Sequence, residues 1–255
     1  MSTTDPARRP RSEKGQPSAF WVLAALVLPP LWLIVRFRII DREKLPKHGA
    51  FVIAPNHYSE FDPVVVAAVA WKLGRAPRFL TKASLFTVPI VGWLLARSGQ
   101  IPVERSSRSR TGAPLRAAEK LVENGQCVII YPEGSLTRDP DLWPMRGKTG
   151  AARMALEHDI PVIPVAHWGT QQVMPRYSKR ISFFPRKDVS IVFGDPVDLS
   201  EFRGKPLNAS ALAAATNAIM QDVTALLEGL RGETAPPERW NPTAHDQKET
   251  GRFEG

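Results

Sequence analysis

The chain has 255 residues, 43% hydrophobic and 23% charged, enough to bury one core without cross-links. Its single cysteine, Cys127, excludes an intramolecular disulfide and reads as a buried small hydrophobe within the run CVII, in keeping with a cytosolic environment. The 34 Lys and Arg outnumber 25 Asp and Glu, a formal charge of +9 that favours phosphate-bearing partners; without a Cys/His finger, heptad array or base-stacking strand, nucleic acid is the weaker option.

Residues 1–18 are polar, basic and proline-containing, and are expected to be disordered. Residues 19–35, AFWVLAALVLPPLWLIV, carry no charge and sit at the lower length limit for a bilayer-spanning helix. Pro29 and Pro30 interrupt the run, so it is expected to form two short apolar helices dipping into one leaflet. Arg36 and Arg38 follow at once, which suits anionic headgroups on the cytoplasmic face. The segment RFRIIDR is no small-residue cleavage site, which argues against a signal peptide. A core helix pair in a soluble protein is the alternative.

From residue 36 short apolar strands alternate with helices. RFRIID, AFVIAP, RFLTK, QIPVER, CVIIYPEG, IPVIPVAHW and DVSIVFG read as strands. PVVVAAVAWKL, the proline-broken SLFTVPIVGWLLARSG, the amphipathic GAPLRAAEKLVENG, TGAARMALEHD and NASALAAATNAIMQDVTALLEGL read as helices, the last capped by Asn208 or Ser210. The pattern predicts an α/β domain over residues 36–231, a mostly parallel sheet covered by helices. Residues 232–255, rich in Pro, Glu and Thr, read as a disordered tail.

In such sheets function gathers beyond the carboxyl ends of the strands. PNHYSEFDP lies at one such end, with His57 and Asp62 between a strand and a helix. A carboxylate that accepts one ring N–H leaves the other imidazole nitrogen as a base that titrates near neutrality. Asp62 before Pro63 equally fits an N-cap followed by proline. A second strand end carries YPEGSLTRD, where Gly134 lets backbone approach a ligand and Ser135 lacks the surroundings of a nucleophile elbow. A third brings Arg105 to the same rim. His48, His158, His167 and His245 lack ligand spacing, so no metal is expected.

NHYSEFD resembles the N-H-x-S-x-x-D block of the glycerophospholipid acyltransferases. GQIPVER, YPEGS and IPVIPV resemble that family's second, third and fourth blocks, in the same order, and FLTKASLF and RGKTGAARMAL look similar to further family segments. The similarity covers roughly residues 20–230 and implies a glycerolipid acyltransferase-like fold. The third block usually ends F-P-E-G-T-R; here Leu136 replaces the arginine, so Arg138, Arg146 or Lys148 supplies the charge or the acceptor pocket differs.

The resemblance implies transfer of an acyl chain from a thioester, acyl-CoA or acyl carrier protein, to the hydroxyl of 1-acylglycerol-3-phosphate, with no cofactor. His57 would be the general base and Asp62 its orienting carboxylate. Arg105, helped by Lys82 and Arg138, would hold the acceptor phosphate, while Glu133, Gly134 and Ser135 shape the headgroup loop. A purely structural role for Glu133 stays open. The apolar N-terminus would bring the enzyme to membrane lipid and lysophospholipid on the cytoplasmic face of the cell membrane. Another acceptor, or a lipid-binding protein without turnover, are the competing readings.

Overall fold

The computed structural model describes residues 19–103, 120 and 122–248. Five strands form the main sheet: β1 (Val35–Ile40), β2 (Phe51–Pro55), β5 (Cys127–Ile129), β6 (Val162–Trp168) and β7 (Lys187–Phe193), in the order β1-β7-β6-β2-β5. Only the β6–β7 pairing is antiparallel. A small parallel pair, β3 (Leu80–Lys82) with β4 (Ile101–Val103), continues beside β5 through the Phe79–Ile129 bridge.

All five residues of β2 are buried, because helices cover both faces of the sheet. Val52 and Ala54 face α4 (Gly150–Glu157) and the long α6 (Ala209–Arg231), meeting Ala152, Met154, Ala215 and Ile219. Phe51 and Ile53 point the other way, against Val66, Val69 and Ala70 of α2 (Asp62–Lys72). Asn208 caps α6 by accepting the Ala211 N–H at 2.8 Å, and Gly232, with φ of 67°, ends it. The apolar segment before β4 is a 3₁₀ turn, Ala83–Leu85, then α3 (Val91–Arg97). Of the expected amphipathic helix, only its end, near Gly125, falls among the described residues.

Two expectations are corrected. Residues 19–34 form one helix, α1, with Pro29 and Pro30 inside it, instead of a helical pair. The missing proline N–H groups leave the carbonyls of Ala25 and Leu26 without helical donors, and both residues are on the exposed side. Packing on either side keeps the axis continuous: Phe20 against Trp71 before the prolines, Leu31 and Ile34 against Phe61, Val65 and Ala68 after them. At about 24 Å α1 is short, and no helix among the described residues is long and apolar enough to cross a membrane.

The second correction is the tail, of which residues 232–248 are placed against the domain. The backbone carbonyl of Trp240 accepts the Arg146 N–H at 3.0 Å, and Pro242, starting a 3₁₀ turn through His245, is buried. The composition is polar, yet one tryptophan and one proline provide enough apolar surface to anchor it. Residues 1–18 and 249–255 lie outside the described residues.

Candidate active site

β2 ends by delivering Asn56 and His57 to the rim, and the chain turns at once into α2. An amide bridge fixes the exit: Asn56 Oδ1 accepts the His167 N–H at 3.0 Å while its Nδ2 donates to the His167 carbonyl at 3.2 Å. His57 Nδ1 lies 3.0 Å from Asp62 Oδ2. The same oxygen accepts the backbone N–H groups of Tyr58 and Ser59 at 2.7 and 2.8 Å, and Oδ1 accepts at 2.6 Å the hydroxyl of Thr170, which opens the short α5 (Thr170–Val173).

Asp62 therefore does not cap α2. It is the first helical residue, Phe61 occupies the cap position without a side-chain bond, and the carboxylate reaches back toward the preceding loop. Asp62 is fully buried, and burial acts to raise its carboxyl; the neighbouring His167, His57 and Thr170 outweigh this and hold it below the usual carboxylate range. An ionised Asp62 accepts a hydrogen bond from the His57 Nδ1–H and leaves Nε2 as the basic atom.

The His57 ring stacks on Tyr131, centroids 4.1 Å apart, and both line an apolar cavity of about 450 Å³ between α1, α2 and β3. Phe20, Leu23, Leu28, Ala67, Trp71 and Phe79 are among its walls. A base is thus placed at the end of a space shaped for hydrocarbon.

Glu133 is buried beneath this pair: Oε1 accepts the His57 N–H at 2.8 Å and Oε2 accepts the Met145 N–H at 3.0 Å. It ties the first block's loop to the third. Burial pushes its carboxyl up to about 8, against the lowering effect of those N–H donors. The folded state therefore holds this proton more tightly than the unfolded chain. The stabilisation is full below 4.5 and declines as pH rises toward 8. Thermal melts across that interval should show the decline, and Glu133→Gln should flatten it while lowering stability, since its amide –NH2 faces one of two N–H donors. An unchanged pH slope in Glu133→Gln would assign the decline to another group.

The remaining candidates scatter. Gly134 has φ of 72°, and a Cβ there would stand 2.9 Å from Lys148 Cδ, so the lysine lies over the glycine. Ser135 is buried, its hydroxyl 3.4 Å from the Leu136 carbonyl. Arg138 does not line the cavity that holds His57. Its Nη1 donates to Tyr177 Oη at 3.1 Å and it lines a separate cavity with Arg176 and Trp240. Arg146 and Lys148 instead line a cavity of about 270 Å³ with Glu133. Lys82 ends β3; its side chain and all of Arg105 lie outside the described residues.

Sequence reasoning missed Thr170, Asn56 and His167. The buried His167 ring meets the Asn56 carbonyl (Nε2, 3.0 Å) and Tyr58 Oη (Nδ1, 3.2 Å), and burial lowers its pKa. Its position ending IPVIPVAH, the fourth block's strand, was the available signal.

The Acyltransferase family model matches residues 36–168, more than half of the chain. The chain belongs to the acyltransferase family. It is 30% identical over 156 residues to the chloroplastic 1-acyl-sn-glycerol-3-phosphate acyltransferase BAT2 of Brassica napus, covering 61% of this chain and 43% of that protein. With the 1-acyl-sn-glycerol-3-phosphate acyltransferase of Bacillus subtilis it shares 27% over 192 residues, 74% of this chain and 87% of the relative. The match thus spans less than half the length of the plant protein. The crystal structure of the Thermotoga maritima 1-acyl-sn-glycerophosphate acyltransferase PlsC superposes with a TM-score of 0.63 at 25% identity, covering 86% of this acyltransferase chain and 83% of that one.

Proposed function

We propose that this acyltransferase moves a fatty acyl chain from a thioester donor, acyl-CoA or acyl-carrier protein, to the free hydroxyl of 1-acylglycerol-3-phosphate, giving phosphatidic acid. The observation that carries the reading is the 3.0 Å His57–Asp62 pair at the end of the apolar cavity. His57 Nε2 takes the acceptor's hydroxyl proton as its oxygen attacks the thioester carbonyl carbon. Asp62 stabilises the imidazolium so formed. The tetrahedral intermediate collapses, the C–S bond breaks, and the departing sulfur takes the proton from His57 while the new C–O ester remains. The cavity receives the acyl chain, and no acyl-enzyme or cofactor is required.

Arg105, with Lys82 as helper, is the proposed phosphate ligand from the second block, and Lys148 supplies the charge that Leu136 lacks. Lys148 is preferred over Arg138 because it packs on Gly134 and faces the cavity beside Glu133, whereas Arg138 bonds Tyr177. Lys148→Ala should raise the KM for a phosphate-bearing acceptor by roughly tenfold or more, with little change for the donor. An unchanged acceptor KM would remove Lys148 from the site. Association with the cytoplasmic face of the cell membrane, through the exposed side of α1 and without crossing, is part of the same reading; Trp21, Leu26, Trp32 and Leu33 support it.

The deciding assay gives purified full-length protein acyl-CoA or acyl-carrier protein against lysophosphatidic acid, glycerol-3-phosphate, other lysophospholipids and a phosphate-free glycolipid. Preference for lysophosphatidic acid supports the proposal. Equal turnover with phosphate-free acceptors overturns it in favour of the second reading, the same chemistry on another hydroxylated lipid, which the uncharged Leu136 favours.

A further inference from the structure

The connection between β6 and β7 carries a surface the catalytic reading does not use. From Met174 to Lys187 it reads MPRYSKRISFFPRK, with five basic residues and no acidic one. Its tip is apolar and turned outward: Ile181, Phe183 and Phe184 are 40%, 54% and 80% exposed. Lys179, Arg180 and Arg186 beside them are exposed too. A soluble surface seldom leaves adjacent aromatic side chains in water, and a basic rim around them fits an interface between hydrocarbon and phosphate.

The tip is held in place at both ends. The Ser182 N–H donates to the Val173 carbonyl at 2.8 Å, and Arg186 donates from Nε and Nη2 to the Val35 carbonyl, at 3.2 and 3.0 Å, where α1 gives way to β1. Phe183 and Phe184 share one apolar groove with Leu26, Pro30 and Leu33 of α1. Aromatic tip and exposed helix side are therefore continuous. Two acidic groups flank the loop: Asp188 pairs with Arg36 at 3.1 Å, and Glu60 accepts the Tyr177 N–H at 3.2 Å, both away from the tip.

We infer that the β6–β7 connection is a second lipid-contacting element, with Phe183 and Phe184 inserting into an anionic membrane while Lys179 and Arg180 take its phosphate headgroups. The inference rests on the proposed membrane association and adds to α1 a second point of contact. Two points fix an orientation where one helix leaves rotation about its axis, so the loop would set the angle at which the acyl cavity meets the lipid.

The test uses the full chain carrying Phe184→Cys labelled with a polarity-sensitive thiol dye; Cys127 is buried and does not compete. Vesicles of phosphatidylcholine alone and of phosphatidylcholine mixed with phosphatidylglycerol are compared. The expected result is a blue shift on the mixed vesicles. Phe183→Ser with Phe184→Ser should weaken co-sedimentation by roughly tenfold or more on both compositions. Lys179→Gln with Arg180→Gln should weaken it by roughly fivefold per residue on the mixed vesicles only. Turnover on detergent-dispersed acceptor should be unchanged in both double variants. If wild-type protein binds the vesicles and the dye stays in water, α1 alone makes the contact and the inference is overturned. If the wild type binds neither vesicle, the membrane association itself fails as well. A dimer in solution that the paired serine substitution dissolves, with vesicle binding intact, would assign the tip to a second copy instead.

Discussion

Replacing His57 with alanine is expected to lower acyl transfer by ~10²–10⁴-fold while leaving the fold intact, the usual cost of losing a general base. The loop does not depend on the imidazole for its course. The His57 backbone N–H is held by Glu133 and its carbonyl accepts the Thr137 N–H at 2.7 Å, and both bonds survive the substitution. Asp62 keeps its bonds from Tyr58, Ser59 and Thr170 and remains satisfied. The measurement is steady-state turnover on a variant whose melting temperature is close to that of the wild type. Near-normal turnover in that well-folded protein would remove His57 as the base, and the proposed mechanism with it.

Asp62→Asn separates the charge of the carboxylate from its hydrogen bonds. The asparagine oxygen can take the place of Oδ2, accepting from Tyr58, Ser59 and the His57 ring, while its –NH2 donates to the Thr170 hydroxyl, which accepts as readily as it donates. Stability should therefore change little. The imidazolium that forms during transfer loses its counter-charge, and the rate should fall by roughly 10²–10⁴-fold. Asp62→Ala is a poorer probe, because two buried N–H donors lose their acceptor at about 1–3 kcal/mol each. Full activity in Asp62→Asn would reduce the carboxylate to a structural link that only ties the loop to Thr170, just beyond β6.

Local sequence carried the strands well, because the central ones, β2, β5 and β6, are short apolar runs buried on both faces between helices. AFVIAP and IPVIPVAHW lie at the centre of the sheet, and the alternation with helices conveyed the mostly parallel pairing. It misled where packing outweighs a residue's local preference. Pro29 and Pro30 signal a break, yet contacts with α2 and Trp71 on both sides of them keep α1 whole. The tail has the composition of a disordered segment, yet Trp240 and Pro242 dock it on the domain. Asp62 before Pro63 has the form of a cap, yet its carboxylate serves the loop behind it.

The sequence by itself determined the chemistry that is available: a histidine and an aspartate five residues apart at the end of a strand, a glutamate and glycine at the end of another, and an uncharged apolar run ahead of them. Those follow from residue type, spacing and period, which are local properties of the chain. The tertiary structure alone decided which groups meet. It set Thr170, 108 residues away, on the carboxylate of Asp62. Glu133 came to the His57 backbone from 76 residues away, and Arg138 was turned away from the cavity that holds His57, toward Tyr177. Phe183 and Phe184 were brought alongside α1. Each of these contacts joins segments far apart in the chain, and strand order and helix packing, which set such distances, leave no mark in the spacing of nearby residues.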